Sequence, residues 1–349
     1  MRSVRGLIQL LKSKRRALSP LLVLTHNHPD PDAIAAGLAL VHLAGAVGGI
    51  RARLAYSGKI GRIENQTMVR ALGIPVHPLQ TRRDFKQYPH VALVDTQPAF
   101  GNNAFPNGRQ AALVIDHHRS VSHLRADHAL ILPKAGATST ILAQALLLAR
   151  KPISQQVATA LVYGILSETQ NLGRETGAPD IKMYQALLPL CDLQALGLIQ
   201  NPPRPRSFFK TLNRSLDRAF VVDAVVGAHL GFVETPDFVS QTADFLLTYE
   251  GIRWAFCTGR FNGKLHVSVR ADRPRLHAGK LLQGIFEQDT GDKTRAGGHR
   301  TMAGGAISMA SPMRENGWQR LEKRVAEKLL ERLAGQGRRS MKFPFRSGR

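Results

Sequence analysis

Short unbroken apolar runs alternate with amphipathic stretches along the first two hundred residues. Leu21–Leu24, Val91–Val94 and Ala112–Ile115 have the length and composition of strands buried on both faces. Each run stops abruptly at polar residues: the first at Thr25 and His26, the second at Asp95, the third at Asp116, His117 and His118. Between and after them the apolar spacing turns helical, predicting helices at Val4–Leu11, Ala33–Val47, Thr140–Ala149, Gln156–Leu166 and Ile181–Leu190. Strands separated by helices imply a parallel α/β sheet. Ligands of such sheets bind beyond the carboxyl ends of the strands, and three strands here carry Asp and His to that edge.

The proline-rich stretch at 201–206 is the clearest punctuation in the chain. Ser207–Arg218 reads as a connecting helix. Strands are expected at Val221–Val233, Arg253–Thr258 and Lys264–Val269, a helix at His277–Gln288, a glycine-rich stretch at Ala296–Gly305 and a last amphipathic helix at Met313–Leu333. A chain of 349 residues exceeds what one core organises. The expected layout is a first α/β domain over 1–200, with 1–19 a basic N-terminal helix. A linker and connecting helix follow over 201–218, then a smaller α/β domain over 219–334 and a basic tail over 335–349. A cleft between the two domains is expected to take the ligand.

Composition narrows the class. Hydrophobic residues at 43% and charged residues at 21% exclude wholesale disorder and collagen-like structure. Cys191 and Cys257 are the only cysteines, which leaves no disulfide framework and no thiolate zinc site, and fits a reducing, cytoplasmic setting. The longest apolar runs, such as Ile34–Ala46, contain Gly or His and fall short of a membrane span. Gly6–Leu11 is interrupted by Gln9 and followed by the basic residues of Lys12–Arg16, so it reads as a basic amphipathic helix rather than an export signal. The formal net charge is +23. Arg2, Arg5, Lys12, Lys14, Arg15 and Arg16 at one end, and Arg338, Arg339, Lys342, Arg346 and Arg349 at the other, supply eleven cations with no acid among them. Such a balance attracts polyanions, and the ends are candidate nucleic-acid contacts; high arginine usage and solubility explain it equally.

The chemistry-bearing residues cluster in pattern. His26, Asp30 and Asp32 share one turn, which Pro29 and Pro31 restrict and which reads as extended chain. Asp95 and His117 arrive at neighbouring strand ends. Imidazole with several carboxylates suits Mn²⁺ or another first-row divalent cation better than Ca²⁺. A lone Asp at a strand end is usually a cap; four such groups at three strand ends argue for a metal site. Thr138, Ser139 and Thr140 open a helix and read as its N-cap, and Arg174, Glu175 and Thr176 as a solvated loop. The chain has neither a nucleophile elbow nor a phosphate-binding loop of the Gly-Lys-Ser/Thr kind.

These motifs resemble the DHH phosphoesterase family. His26-x-x-x-Asp30-x-Asp32, Asp95 after an apolar strand and Asp116-His117-His118 are similar to its first three motifs. Glu168-Thr169 stands where the fourth has Asp-Thr. Val267–Arg270 and Gly297–Arg300 resemble the nucleotide-binding signature of the DHH-associated C-terminal domain. Oligoribonuclease/pAp phosphatase (nanoRNase) proteins and cyclic-dinucleotide phosphodiesterases are the closest look-alikes.

The resemblance implies that His26 and Asp30 bind one metal, that Asp32, His117 and Glu168 bind a second, and that Asp95 bridges them. His118 faces the substrate phosphate and Asp116 orients the histidine pair. Asp95, His117 and His118 form the catalytic set. Arg270 and His299 grip a terminal phosphate, with Gly297 and Gly298 letting backbone N–H groups approach it. His28 is extra to the pattern. Glu168, one methylene longer than the usual Asp, puts the second metal's geometry in question.

The implied activity is a two-Mn²⁺ hydrolysis of short oligonucleotides, pAp or linear and cyclic dinucleotides, by water activated between cations roughly 3.5–4 Å apart. A non-catalytic basic nucleic-acid or nucleotide binder and a phosphohydrolase of polyphosphate are the competing readings. A homo-oligomer is compatible with either.

Overall fold

The computed structural model describes residues 3–120, 124–272, 276–290, 296–298, 300–308, 313–334 and 340–346. Two compact units result, Met1–Pro202 and Pro203–Arg349.

In the first unit, in chain order, the elements are α1 (Val4–Ser13), β1 (Leu21–Leu24), α2 (Pro31–Gly48), β2 (Ala52–Tyr56), α3 (Ile63–Ala71), β3 (Val76–Pro78), α4 (Thr81–Gln87), β4 (His90–Val94), β5 (Ala111–Asp116), β6 (Ala126–Ile131), α5 (Thr138–Ala149), α6 (Gln155–Glu168), α7 (Ala178–Leu187) and α8 (Leu193–Gln200). The strands form a parallel sheet in the order β3-β2-β1-β4-β5-β6. The chain winds outward from β1 through β2 to β3, returns to β4 on the other side of β1, and continues outward to β6. The direction reverses between β1 and β4, where open α/β sheets bind their ligands.

Both faces of this sheet are covered, which is why its central strands read as unbroken apolar runs. Leu21 and Val23 of β1 face one core with α2, α5 and α6, while Leu22 and Leu24 face another with Val91, Leu93 and Phe105. Helix α2 is 18 residues long and apolar enough to cross a membrane by length and composition. It packs here against α1, α5, α6 and the sheet, as a helix apolar on all sides must in a folded core. The basic helix α1 joins the same core through Leu7, Leu10 and Leu11.

The second unit holds α9 (Arg206–Arg218), β7 (Phe220–Val222), β8 (Val225–Phe232), α10 (Asp237–Leu246), β9 (Trp254–Phe261), β10 (Lys264–Ala271), α11 (Ala278–Thr290), β11 (Ala296–Gly298), β12 (Met302–Ser308) and α12 (Glu315–Leu333). Its sheet runs β11-β12-β10-β9-β8-β7, antiparallel except for the β8–β9 pair. Helices α11 and α12 cover one face, α9 and α10 the other. A fork-to-fork pair, Arg260 Nε to Glu322 Oε1 and Nη2 to Oε2, both 2.8 Å, fastens α12 to β9.

Several expectations change. Val221–Val233 is two strands, because Asp223 at φ +52° turns the chain and β7 folds back on β8. The connecting helix packs into the second unit, with Phe208 buried among Val226, Phe238 and Ala243. Part of the expected basic tail is fastened down: Lys342 pairs antiparallel with Val221 of the outermost strand, N to O at 2.8 and 2.9 Å in the two directions. Strands β11 and β12 stand where only a glycine-rich stretch was expected, and the other elements without a sequence expectation, namely β2, β3, β6, α3, α4, α8 and α10, are short or carry polar residues within their apolar runs.

Asp180 fixes where α5 begins. Its buried carboxylate accepts from Gly136 N at 2.9 and 3.0 Å, Gly177 N at 2.8 Å and Thr140 Oγ1 at 2.5 Å. Replacing it with Ala orphans two buried donors and one half-buried donor. Asp180→Ala is expected to cost the first unit about 2–4 kcal/mol, read as a lower urea midpoint, with Asp180→Asn costing less. A midpoint equal to wild type would refute this anchoring role.

Candidate metal centre

Each strand of the switch region ends by presenting donors. After β1, Thr25 N extends the pairing to Ala55 O, then Asn27 N bonds Asn102 O on the β4 side. Asp30 is not one of two acids on extended chain, as the sequence suggests. It is the N-cap of α2, its carboxylate accepting from Ala33 N at 2.9 Å, with Pro31 as the first helical residue. Asp32 lies inside the first turn and is buried. Asp95 follows β4 at φ +59°, a left-handed conformation that Asp tolerates better than most residues. Its N–H bonds Ile115 O, so the turn is held against β5. Asp116 closes β5, and His117 and His118 follow.

Two donor sets converge among the described residues: His26, Asp30 and Asp95, and Asp95, His117 and His118, with the donor atoms of each set within 4.8 Å of one another. Asp95 belongs to both. Its Oδ2 lies 3.7 Å from His26 Nε2, and its Oδ1 lies 3.6 Å from His117 Nε2 and 3.8 Å from His118 Nδ1. Asp30 Oδ2 lies 3.6 Å from His26 Nε2. Thr138 Oγ1 donates to Asp95 Oδ1 at 2.8 Å and steadies the shared carboxylate.

The imidazoles are set by carbonyls. His26 Nδ1 donates to Asn27 O at 2.9 Å and His117 Nδ1 to Ala135 O at 3.3 Å, which turns the Nε2 of each toward the centre. His117 Nε2 is buried with no hydrogen-bond partner. The Nδ1 of His118 is bonded to Asp116 Oδ1 at 2.8 Å, which fixes the orientation of the ring. Asp116 therefore orients His118 alone rather than the pair. Gln97 Nε2 holds the other oxygen of Asp116 at 2.8 Å.

Asp32 and Glu168 are not brought into either set. The two oxygens of Asp32 accept from Ser139 N and Thr138 N, each at 2.7 Å. The carboxylate of α2 thus caps α5, whose own N-cap residue, Ala137, has no side chain to do so. This displaces the reading of Thr138, Ser139 and Thr140 as a self-capping run. Glu168 ends α6, where Arg174 Nη2 donates to its carbonyl at 3.0 Å and stands 3.7 Å from its carboxylate. Arg174 is thereby tied to the site's edge rather than solvated in a loop.

Buried acids at close quarters disturb one another. Burial, then the charges of Asp32, Asp30, Asp116 and Glu168, pushes Asp95 well above the usual carboxylate range. Burial, then Asp30 and Asp32, does the same to Glu168. Asp32 rises to about 7 through burial and Asp30, against the pull of its Ser139 and Thr138 bonds. Burial lowers His117 to about 4, helped by His118, so it is neutral near pH 7. Burial also opposes charge on His26, but Asp30 outweighs it by hydrogen bond and charge and carries it up to about 9. A neutral His117 with its Nε2 unpartnered, and a His26 that can give up its proton, beside carboxylates short of positive charge, fit divalent cations.

The residues expected to bind substrate from the second unit lie close together within one sheet. Arg270 of β10 opposes Met302, and Gly298 of β11 opposes Ala303 of the same β12. Arg270 is buried, its guanidinium engaged by Asp244, by Ser268 Oγ at 2.8 Å and by Val269 O at 3.0 Å. Gly298 has φ +148°, and a Cβ there would stand 2.2 Å from Met302 O, so a side chain does not fit. Gly297 lies beside it on β11; His299 falls outside the described residues. Sequence reasoning missed Gln97 and Asp244, because a lone amide after an Asp, or a lone acid on a helix, carries no pattern.

Residues 20–165 match the DHH family, N-terminal domain. An uncharacterized protein of Methanocaldococcus jannaschii is 34% identical over 304 residues, covering 86% of this chain and 61% of that protein. The chain thus spans less than two thirds of that relative's length. An exopolyphosphatase-related protein from Bacteroides fragilis superposes with a TM-score of 0.72 at 14% identity, over 94% of this chain and 98% of that one, a likeness of fold.

Asp95→Asn is expected to fold and to bind Mn²⁺ at least about tenfold more weakly by calorimetric titration, since second partners alone are worth that much at metal sites; unchanged uptake would refute the shared-ligand role. His26 must lose a proton to bind a cation. Uptake at pH 7 should therefore release protons, detected as a dependence on buffer ionisation enthalpy, and affinity should rise as pH climbs toward about 9.

Proposed function

Since residues 20–165 form a DHH-family N-terminal domain and Asp95 stands between two donor sets, we propose that this chain is a phosphoesterase working through a pair of divalent cations. The shared position of Asp95 is the observation that carries the reading. A single structural cation needs no carboxylate turned with one oxygen to each of two histidine-bearing sets.

His26 and Asp30 would hold one cation, His117 the other, and Asp95 both. Asp32 or Glu168 would join through the lone pairs their present partners leave. Bound there, the cations would activate water and offset charge on the transferring phosphoryl group. The chain supplies the rest. Carbonyls of Asn27 and Ala135 fix the tautomers of His26 and His117. Asp116, itself held by Gln97, turns His118 so that its Nε2 can donate to a phosphoryl oxygen or to the leaving group.

Mn²⁺ is the cation we favour, from the mixture of imidazole and carboxylate donors. Short oligonucleotides, pAp and linear or cyclic dinucleotides are the favoured substrates. The excess of 23 positive charges suits any of these polyanions. Arg270, Gly297, Gly298 and His299 are proposed to contact the substrate's distal phosphate, with Arg270 exchanging Asp244 for it. The basic ends are proposed to add non-specific contact with nucleic acid.

Incubation of the Mn²⁺-loaded protein with pAp, dinucleotides, cyclic dinucleotides, pyrophosphate and polyphosphate is expected to show release from the nucleotides, abolished by chelator. His118→Ala should lower kcat by about 10²–10³ with metal content retained. Release from polyphosphate alone would transfer the reading to that class. No release from any of them with the centre filled would leave a nucleotide- or nucleic-acid-binding protein instead.

A further inference from the structure

We infer that His28 is a positioning residue for the segment that carries Lys59, and that Lys59 is a cation that reads a second phosphate on the substrate. The inference takes its chemistry from the phosphoesterase reading and its geometry from contacts that reading does not use. Strand β2 is the neighbour of β1, about 4.8 Å away. The segment after β2, Ser57 to Arg62, therefore stands at the same carboxyl edge as His26 and Asp30.

His28 belongs to neither donor set and turns instead to this segment. Its backbone N–H donates to Ser57 O at 2.8 Å. Its Nδ1 accepts from Lys59 N at 3.1 Å. Its ring closes over Gly58 so tightly that a Cβ there would lie 2.7 to 2.9 Å from three ring atoms. His28 at φ +56° and Gly58 at φ +81° are both left-handed, each turn bent to fit the other. At the far end, Gln66 Nε2 donates to Ile60 O at 3.1 Å and Gly61 O at 2.7 Å. Two side chains thus pin the segment on either side of Lys59.

Lys59 itself is exposed and forms no ion pair among the described residues. A solvated lysine does not need a backbone fastened at both ends. A backbone anchored next to His28, two residues from both His26 and Asp30, limits the places the Lys59 ammonium can reach and so lowers part of the entropy cost of meeting a ligand at that edge. The ligand chemistry is a phosphoester carrying a further phosphate one ribose away, as in a 5′-phosphorylated dinucleotide, rather than a substrate with a single phosphodiester; on such a ligand Lys59 adds to the contacts proposed for Arg270 on the same phosphate.

The test compares two dinucleotides whose internucleotide link is a phosphorothioate, one with a 5′-phosphate and one without, titrated calorimetrically into the Mn²⁺-loaded full chain. Wild type is expected to prefer the phosphorylated ligand. Lys59→Ala should collapse that preference by about tenfold, the size expected for one charge-assisted contact, and Lys59→Arg should keep it. His28→Ala should collapse it too, while His28→Asn, which tolerates the left-handed backbone and offers an acceptor, should restore part of it. A preference that survives Lys59→Ala overturns the inference. So does a His28→Ala variant that loses Mn²⁺ uptake while Lys59→Ala leaves the preference intact. If wild type fails to cleave the all-oxygen dinucleotide yet shows the Lys59-dependent preference, the hydrolase reading falls and this one stands.

Discussion

Five carboxylates, those of Asp30, Asp32, Asp95, Asp116 and Glu168, act on one another at one edge of a parallel sheet. Like charges this close cannot all ionise in a poorly hydrated setting without compensation. The chain compensates some of them internally. Asp30 has His26 and a helix N–H, Asp32 has two backbone donors of α5, Asp116 has His118 and Gln97, and Glu168 has Arg174. Asp95 receives one hydroxyl bond and otherwise faces histidines. Burial and its acidic neighbours hold it back from ionising, so it is the place where added positive charge would be most favourable.

The site and the scaffold are not separable. Asp30 begins α2, and Asp32, two residues on, begins α5, whose own first residues lack a cap. One turn after β1 therefore orients two helices and aims two donors. Because β1 is flanked by β2 and β4 at the switch in winding direction, that turn is also bonded sideways, to Asn102 on one flank and to Ser57 and Lys59 on the other. Local backbone order of this kind keeps first donors within the narrow tolerance that metal chemistry demands.

The central strands and most helices were legible because burial on both faces writes a continuous apolar run, and packing on one face writes a helical period. Ala33–Val47 and Gln156–Leu166 lie within a turn of the observed helices. His26, Asp30, Asp95 and His117 were legible because polar residues closing an apolar strand are unusual, and their convergence is as the motif resemblance implies. Asp32 was harder. Its partners, Thr138 and Ser139, lie more than a hundred residues away, and a cap supplied across such a distance leaves no spacing to read. Short edge elements such as β3 and β6 escaped for a different reason: with Leu130 their one buried residue, they carry too few apolar positions to show a period.

Lys342 occupies the outer rim of β7, and Phe345 meets Tyr249 edge to face, ring centres 4.9 Å apart. An outermost strand with bare amides invites another molecule to dock and continue the sheet. Here a stretch over a hundred residues downstream serves as a built-in bumper. Exposure of that edge thus depends on residues remote from it in sequence, and handling of that downstream stretch, by proteases or by appended affinity handles, bears on colloidal behaviour.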